Sequence, residues 1–257
     1  MTDLNSLPHT TFTIVNRLGL ILFVRLNGTG DGPIALVAHG LSDVHDSPHM
    51  RAIASGLVMA GFDVVTYDAS NSWGRSGGSF ERATLSSAYL DLCDVYVWMM
   101  AQSWSKGSVV LAGHSLGGAA AIRFAAAGPG RVNQLILVSP VVGGKLLAQR
   151  LNPFIRLIWK LLGRLPELGK RGKWYSYDLL LDGMEYDGVK LAPRLIMPTI
   201  IIAPARDALI PLSHQKLLEA ALPQGAGRLR VIEGADHTFS GHLEELFKEV
   251  TAAALRD

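Results

Sequence analysis

The stretch Val109-Val110-Leu111-Ala112-Gly113-His114-Ser115-Leu116-Gly117-Gly118 constrains this chain more than any other. Its apolar first half reads as a buried strand. Its second half spells Gly-x-Ser-x-Gly, and the small residues after it, Gly118-Ala119-Ala120-Ala121-Ile122, read as a helix. Strand, sharp turn at a serine and helix, in that order, is the setting in which this motif presents a nucleophile. The glycines have a steric reason. The turn forces the serine backbone into a strained conformation, and a Cβ at Gly113 or Gly117 would collide with the neighbouring strand or helix. Strain lifts the Ser115 hydroxyl clear of the sheet edge, at the positive end of a helix. The plainer alternative, a glycine-rich turn whose serine merely caps the helix, leaves the flanking pattern unexplained.

On either side of this stretch the chain alternates strand and helix. Residues 11–15 and 20–26 are β-rich runs split by Asn16-Arg17-Leu18-Gly19 and read as an antiparallel hairpin. A buried strand at 34–38 ends in His39-Gly40-Leu41. A helix follows from Ser47-Pro48 to about Ala60, with serine as cap, proline in the first turn and Gly61 as stop. Residues 63–67 read as a strand, 68–78 as a polar glycine-rich loop, and 84–104 as a helix with Leu85, Tyr89, Leu92, Tyr96 and Met99 at helical spacing. Cys93 lies inside that helix and reads as core. Further strands are expected at 135–138, 199–203 and 229–232, with helices at 213–222 and 241–254. Such alternation predicts an α/β architecture, a mostly parallel sheet with helices on both faces and its chemistry at the carboxyl ends of the strands.

The bulk properties narrow the class. A chain of 257 residues, 49% hydrophobic, suits one domain with a large core. A net charge of +2 gives no pointer to nucleic acid. The single cysteine, Cys93, excludes an internal disulfide and a cysteine-held metal, and fits a reducing, cytoplasmic setting. The first 13 residues lack a basic region followed by an apolar one, so no signal peptide is expected, and no apolar run reaches the length of a membrane span.

The alternation breaks across 141–193, which is expected to be an inserted helical cap on a core formed by 1–140 and 194–257. Its first half holds Leu146, Leu147, Leu151, Phe154, Ile155, Leu157, Ile158, Trp159, Leu161 and Leu162. Interleaved with them are Lys145, Arg150, Arg156, Lys160, Arg164, Lys170, Arg171 and Lys173, against the single acid Glu167. A lid that shapes an acyl pocket is expected, because long insertions in compact domains are usually functional. For the basic and apolar faces, packing on the domain and solvation are favoured over contact with an anionic membrane surface.

A serine hydroxyl needs a base within hydrogen-bond reach, and the base needs an orienting acceptor. His237 follows the last strand, where a base can lean over the elbow. His39 also follows a strand, but in His-Gly its ring reads as a prop for the loop. His214 and His242 fall in predicted helices and are expected at the surface. For the acid, Asp207 follows the strand at 199–203, and the chain order Ser115, Asp207, His237 is the one this elbow type uses. Asp68 and Asp236 are its rivals. Asp236 cannot easily orient its neighbour's ring, and Asp68 opens a glycine-rich loop and reads as a turn residue. The backbone N–H groups of Leu41 and Leu116 are the candidate donors to a developing oxyanion. His114, Phe154, Trp159 and Leu209 are the candidate pocket residues. Neither a metal nor an organic cofactor is needed for this chemistry.

Here the resemblance is plain. Gly113-His114-Ser115-Leu116-Gly117, His39-Gly40, Arg206-Asp207 and Asp236-His237 together resemble the elbow, oxyanion loop, acid turn and histidine loop of the α/β-hydrolases of serine esterase and lipase type. The segment 67–78 resembles the D-x-x-G-x-G-x-S loop of such enzymes, with Asn71 and Trp73 near positions where glycine and histidine are usual. The chain is most similar to the cinnamoyl/feruloyl esterase and monoacylglycerol-lipase-like branches. The resemblance implies an eight-stranded, mostly parallel sheet with a cap. It implies hydrolysis of a small-molecule carboxylic ester, with an apolar or aryl part, by a monomer or homodimer. A carbon–carbon hydrolase, lyase, thioesterase or peptidase on the same triad is the alternative, and a non-catalytic binding module is the third reading.

Overall fold

The computed structural model describes residues 4, 6, 8–128, 130–166 and 173–255. The hairpin forms as expected from β1 (His9–Val15) and β2 (Ile21–Asn27), which pair antiparallel with Val15 opposite Ile21. Then come β3 (Ile34–Ala38), α1 (Pro48–Met59), β4 (Asp63–Tyr67), α2 (Leu85–Met100), β5 (Val109–His114), α3 (Leu116–Ala126) and β6 (Val132–Val138). After a long segment the alternation resumes with β9 (Thr199–Pro204), α8 (Leu212–Ala221), β10 (Gly227–Ile232) and α9 (Leu243–Ala254). The eight strands form one sheet in the order β1-β2-β4-β3-β5-β6-β9-β10. Only β2 breaks the parallel run, pairing antiparallel with both β1 and β4.

Helices cover both faces, so the central strands are buried throughout and carry no polar alternation. In β3, Leu36 and Ala38 face the core that holds Leu92 and Val95 of α2 and Ala120 and Ile122 of α3. Ala35 and Val37 face the opposite core, with Met50, Ile53 and Leu57 of α1 and Leu246 and Val250 of α9. Such a sheet holds its carboxyl edge rigid, and loops at that edge carry Ser115, Ser139, Asp207 and His237. Among the described residues, no helix is long and apolar enough to cross a membrane.

Several local expectations need correction. Ser47 precedes α1, but its side chain makes no cap hydrogen bond, and its Oγ instead lies 3.4 Å from the Val44 N–H. The 84–104 helix ends at Met100, and its start is closed by a capping box between Thr84 and Ser87. His214 lies in α8 as expected yet is buried rather than at the surface, while His242 precedes α9 instead of lying within it.

The segment between β6 and β9 is not purely helical. It contains α4 (Gly144–Arg150), α5 (Pro153–Leu162), β7 (Arg164–Pro166), β8 (Trp174–Ser176), α6 (Tyr177–Met184) and α7 (Gly188–Leu191), with β7 and β8 paired antiparallel. Glu167, Lys170 and Arg171 lie outside the described residues. The apolar side of α5 does not pack on the domain. Phe154, Ile155, Leu157, Leu161 and Leu162 are exposed, and only Trp159 is buried, its Nε1–H donating to the Tyr175 carbonyl at 3.0 Å. A periodic apolar stripe specifies that a face exists, and tertiary contacts decide what covers it.

Candidate active site

Ser115 sits between β5 and α3 with φ at +53° and ψ at −116°, the strained turn that the motif predicts. The steric argument for the glycines holds at atomic level. A Cβ on Gly113 would stand 2.5 Å from the Gly117 carbonyl oxygen, and one on Gly117 would overlap the Ala38 carbonyl of β3. Strain gathers around this serine. Among the described residues five non-glycines have positive φ, and all five, Ser42, Asn71, Ser115, Ser139 and Phe239, belong to loops at this edge of the sheet.

Three distant side chains meet here. The Ser115 hydroxyl lies 3.0 Å from His237 Nε2, and His237 Nδ1–H donates to Asp207 Oδ2 at 2.7 Å. Asp207 Oδ1 accepts from the N–H groups of Leu209 and Ile210, both at 2.8 Å, which fixes the carboxylate plane. Burial pushes the Asp207 carboxyl up, but the hydrogen bonds and charge of His237 and the Ser139 hydroxyl outweigh it and hold the group below the usual carboxylate range. Asp207 is therefore an anion, and as the acceptor for His237 Nδ1 it leaves Nε2 facing the Ser115 hydroxyl.

The rival acids have other partners. Asp68 accepts from the His45 N–H at 2.8 Å, His45 Nδ1–H at 2.9 Å and the Arg75 N–H at 2.8 Å, so it closes its own loop. Asp236 accepts from the N–H groups of Thr238 and Ser240. His39 is a loop prop: its Nδ1–H donates to the Gly40 carbonyl at 2.7 Å, and its Nε2 accepts the Ala69 N–H at 2.8 Å. The loop after β4 departs from the usual pattern at Asn71, which takes φ +62° and accepts the Ser79 N–H on its Oδ1. Asparagine is the non-glycine residue that best tolerates this left-handed region, so the departure preserves the turn.

Leu116 is the first residue of α3, so its N–H has no intrahelical acceptor. The 39–41 loop comes close to it, with a Cβ at Gly40 only 3.1 Å from Ser115 Cβ. Leu41 and Leu116 line one small recess together with Ser42, Ser70, Ser87 and Phe80. Among the described residues no carboxylate lines it. The four residues expected to form the pocket do not line it either. Phe154 and Leu209 are exposed, Trp159 is buried against Tyr175, and His114 lies behind the serine, its Nε2–H donating to the His237 carbonyl at 3.0 Å.

Two contributors escaped the sequence. Ser139, which only marked the end of a strand, donates its hydroxyl to Asp207 Oδ2 at 2.5 Å and lies 3.2 Å from His237 Nδ1. Its place after β6 was the available signal, since the carboxyl ends of strands hold the chemistry. Tyr175 of β8 meets the Ser42 hydroxyl at 3.0 Å, tying the segment between β6 and β9 to the loop that carries Leu41. Nothing local in the sequence marks that contact.

A family model described as Hydrolase_4, serine aminopeptidase S33, matches residues 33–173. The chain belongs to this family. The matched part of the chain runs from the residue before β3 through the elbow into the segment after β6. Human monoglyceride lipase is 28% identical over 280 residues, a match covering 95% of the S33 chain and 87% of that protein. Est1E from Butyrivibrio proteoclasticus, solved with ferulic acid, superposes with a TM-score of 0.74 at 18% identity, covering 97% and 95% of the two chains. A putative hydrolase from Agrobacterium vitis S4 gives a TM-score of 0.78 at 18% identity, covering 96% and 99%. At that identity the two structures establish the α/β-hydrolase fold of the S33 chain.

Proposed function

We propose that this protein is a serine carboxylic ester hydrolase that works through an acyl-enzyme. The observation that carries the reading is the line of contacts from Ser115 Oγ through the His237 ring to Asp207, at 3.0 and 2.7 Å, built on a strained turn. Ser115 attacks the ester carbonyl while His237 Nε2 takes its proton. The oxyanion forms against the Leu41 and Leu116 N–H groups, already fixed by a strand end and a helix start. The imidazolium, facing the Asp207 anion, protonates the leaving alcohol. Water then enters, gives a proton to His237 and attacks the acyl carbonyl, and the acid leaves as Ser115 regains its hydrogen. Neither metal nor organic cofactor takes part in these steps.

Residues 141–193 act as the cap on a core of 1–140 and 194–257. Tyr175 on Ser42 and Arg150 on the Ala208 carbonyl join it to the oxyanion loop and the acid turn, so it borders the site on two sides. The recess is small and is lined by Phe80 together with Ser70, Ser72, Thr84 and Ser87. A small or aryl acyl group with a polar substituent fits such a lining better than a long alkyl chain does. Human monoglyceride lipase and the ferulic acid complex of Est1E are consistent with an ester substrate.

The description of the family favours a second reading, release of amino-terminal residues from peptides. A free amino terminus is a cation and calls for a carboxylate in the site, which the recess does not offer among its described residues. Labelling with a fluorophosphonate, followed by para-nitrophenyl esters, thioesters and amino-acid anilides, decides between them. The ester reading requires labelling at Ser115 and turnover of aryl or short-chain esters well above anilides. Absent labelling, or preferred cleavage of anilides, overturns it.

A further inference from the structure

Beneath the triad lies a second cluster that the proposed hydrolysis does not use. Asp43, in the loop after β3, His49 of α1 and His114 at the end of β5 are all buried. His49 Nε2–H donates to Asp43 Oδ2 at 2.7 Å. His114 Nδ1 stands 3.9 Å from that same oxygen, and the two rings are 4.4 Å apart between centroids. His114 is only 2% exposed, and its Nδ1 has no hydrogen-bond partner. Because Nε2 donates to the His237 carbonyl, a neutral ring presents Nδ1 as a bare lone pair. A lone pair and a carboxylate oxygen thus face each other with no proton between them, an arrangement that a cation would satisfy.

We propose that Asp43, His49 and His114 form a binding site for a divalent first-row metal ion of zinc's ligand class. Two imidazole nitrogens and one carboxylate oxygen are a set that zinc takes readily, with a fourth position left for water. One ligand atom from each residue lies within 4.8 Å of the other two. Tetrahedral zinc with bonds near 2.1 Å spaces its ligands by roughly 3.3 Å. His49 would move away from Asp43 and His114 toward it, each by roughly 0.6 Å from the present 2.7 and 3.9 Å, and the two imidazole nitrogens, within 4.8 Å of each other, would close by up to roughly 1.5 Å. His49 binds as a neutral imidazole by switching tautomer, Nδ1 taking a proton from water as Nε2 releases its own, while the carboxylate and His114 already offer lone pairs.

The surroundings of the ligands support the assignment. Metal-binding histidines usually donate their other ring N–H to a carbonyl or carboxylate, which fixes the ring and makes the bound nitrogen more basic. His114 does this toward the His237 carbonyl. Asp43 is oriented as well, its other oxygen accepting the Val44 N–H at 2.9 Å. An ion here would be held by the residue that precedes Ser115, whose ring also meets the His237 carbonyl.

The test is metal binding by the chelator-stripped full chain, read without reference to turnover. Calorimetric titration with Zn²⁺ should give one site, and Co²⁺ should give the visible bands of a four-coordinate nitrogen and oxygen environment. Asp43→Asn and His49→Gln should each weaken binding at least about 10-fold, since even outer-shell changes cost that much. His242→Ala, which removes the exposed His242–Glu245 pair, should change nothing. Should either core variant fail to fold, the wild-type chain still decides: Zn²⁺ must shift the imidazole ¹⁵N resonances of His49 Nε2 and His114 Nδ1. A site lost with His242→Ala, equal affinity in all variants, unmoved His49 and His114 resonances, or no stoichiometric binding overturns the proposal.

Discussion

The Ser139 hydroxyl donates to Asp207 Oδ2 at 2.5 Å, on the same oxygen that receives His237 Nδ1–H. Two donors therefore converge on one carboxylate oxygen, while two main-chain N–H groups hold the other. The acid is fixed by four hydrogen bonds before any substrate arrives, which is the preorganisation that electrostatic catalysis needs.

Removing the Ser139 donor should therefore act through Asp207. Ser139→Ala is expected to lower kcat for an aryl ester about 10-fold, the effect of one hydrogen bond to a charged group of roughly 1.5 kcal/mol. It should also raise the Asp207 carboxyl toward its ordinary range, which a carbon-13 titration of that carboxyl reads directly. A lower rate with an unmoved Asp207 titration would assign Ser139 to packing alone.

Ser115 combines strain with chemistry, so replacing it should separate the two. The positive φ costs about 1–3 kcal/mol, and glycine adopts it freely at an entropic cost of about 0.5–1 kcal/mol. Ser115→Gly should thus melt at a higher temperature than the parent. It should also lose at least about 10⁴-fold in ester turnover, as expected for loss of a triad nucleophile. A lower melting temperature refutes the strain argument, and retained turnover refutes the role of Ser115.

Gly117→Ala tests the elbow as packing. The added methyl must displace the Ala38 carbonyl of β3, which is backbone in a central strand and cannot step aside. A loss of about 2–3 kcal/mol in urea unfolding is expected, at the upper end for overpacked sites. Unchanged stability would mean that the elbow relaxes more easily than its contacts imply.

Asp68 gives the pH dependence of folding. Burial raises its carboxyl, but the hydrogen bonds and charge of His45 and the Arg75 N–H lower it further, so its native value lies below the usual one near about 4. A depressed native value means stability that is present above the ordinary carboxylate range and lost as pH falls toward the native one. Asp68→Asn should cost about 1–3 kcal/mol at pH 7. Its deficit against the parent should shrink on going from about pH 5 to pH 3. Urea midpoints of both proteins across that range check it, and parallel curves would remove Asp68 from the linkage.

Tyr175→Phe isolates the contact between the inserted segment and the oxyanion loop. Without its hydroxyl, Ser42 loses its 3.0 Å partner. One neutral hydrogen bond is worth about 0.5–1.5 kcal/mol, so kcat/KM for esters should fall roughly 2- to 10-fold with little change in melting temperature. An unchanged kcat/KM would show that the loop holds its shape alone.

Most of the fold was legible because its signals are local. Continuous apolar runs at 34–38 and 109–112, with the β-rich run at 63–67, each followed by a helical pattern, permit little besides a sheet covered on both faces. Gly113 and Gly117 announced the turn, and Ser115, Asp207 and His237 followed from chain order and strand ends. What failed had no local signal. His214 reads as a surface residue because helix α8 carries polar neighbours, yet it is buried. Phe154 and Leu161 read as packed because they fall on an apolar stripe, yet they face solvent.

The sequence by itself determined the order of strands and helices, the strained serine turn and the residue types brought to the sheet's carboxyl edge, because periodicity, glycine sterics and turn chemistry act over a few neighbouring residues. Only the tertiary structure decided which side chains meet. Ser139 on Asp207, Tyr175 on Ser42, and His114 between His237 and Asp43 join residues as many as 133 positions apart. Those contacts depend on strand order and on the relative placement of loops, and such geometry is a property of the packed whole that no short window of residues encodes.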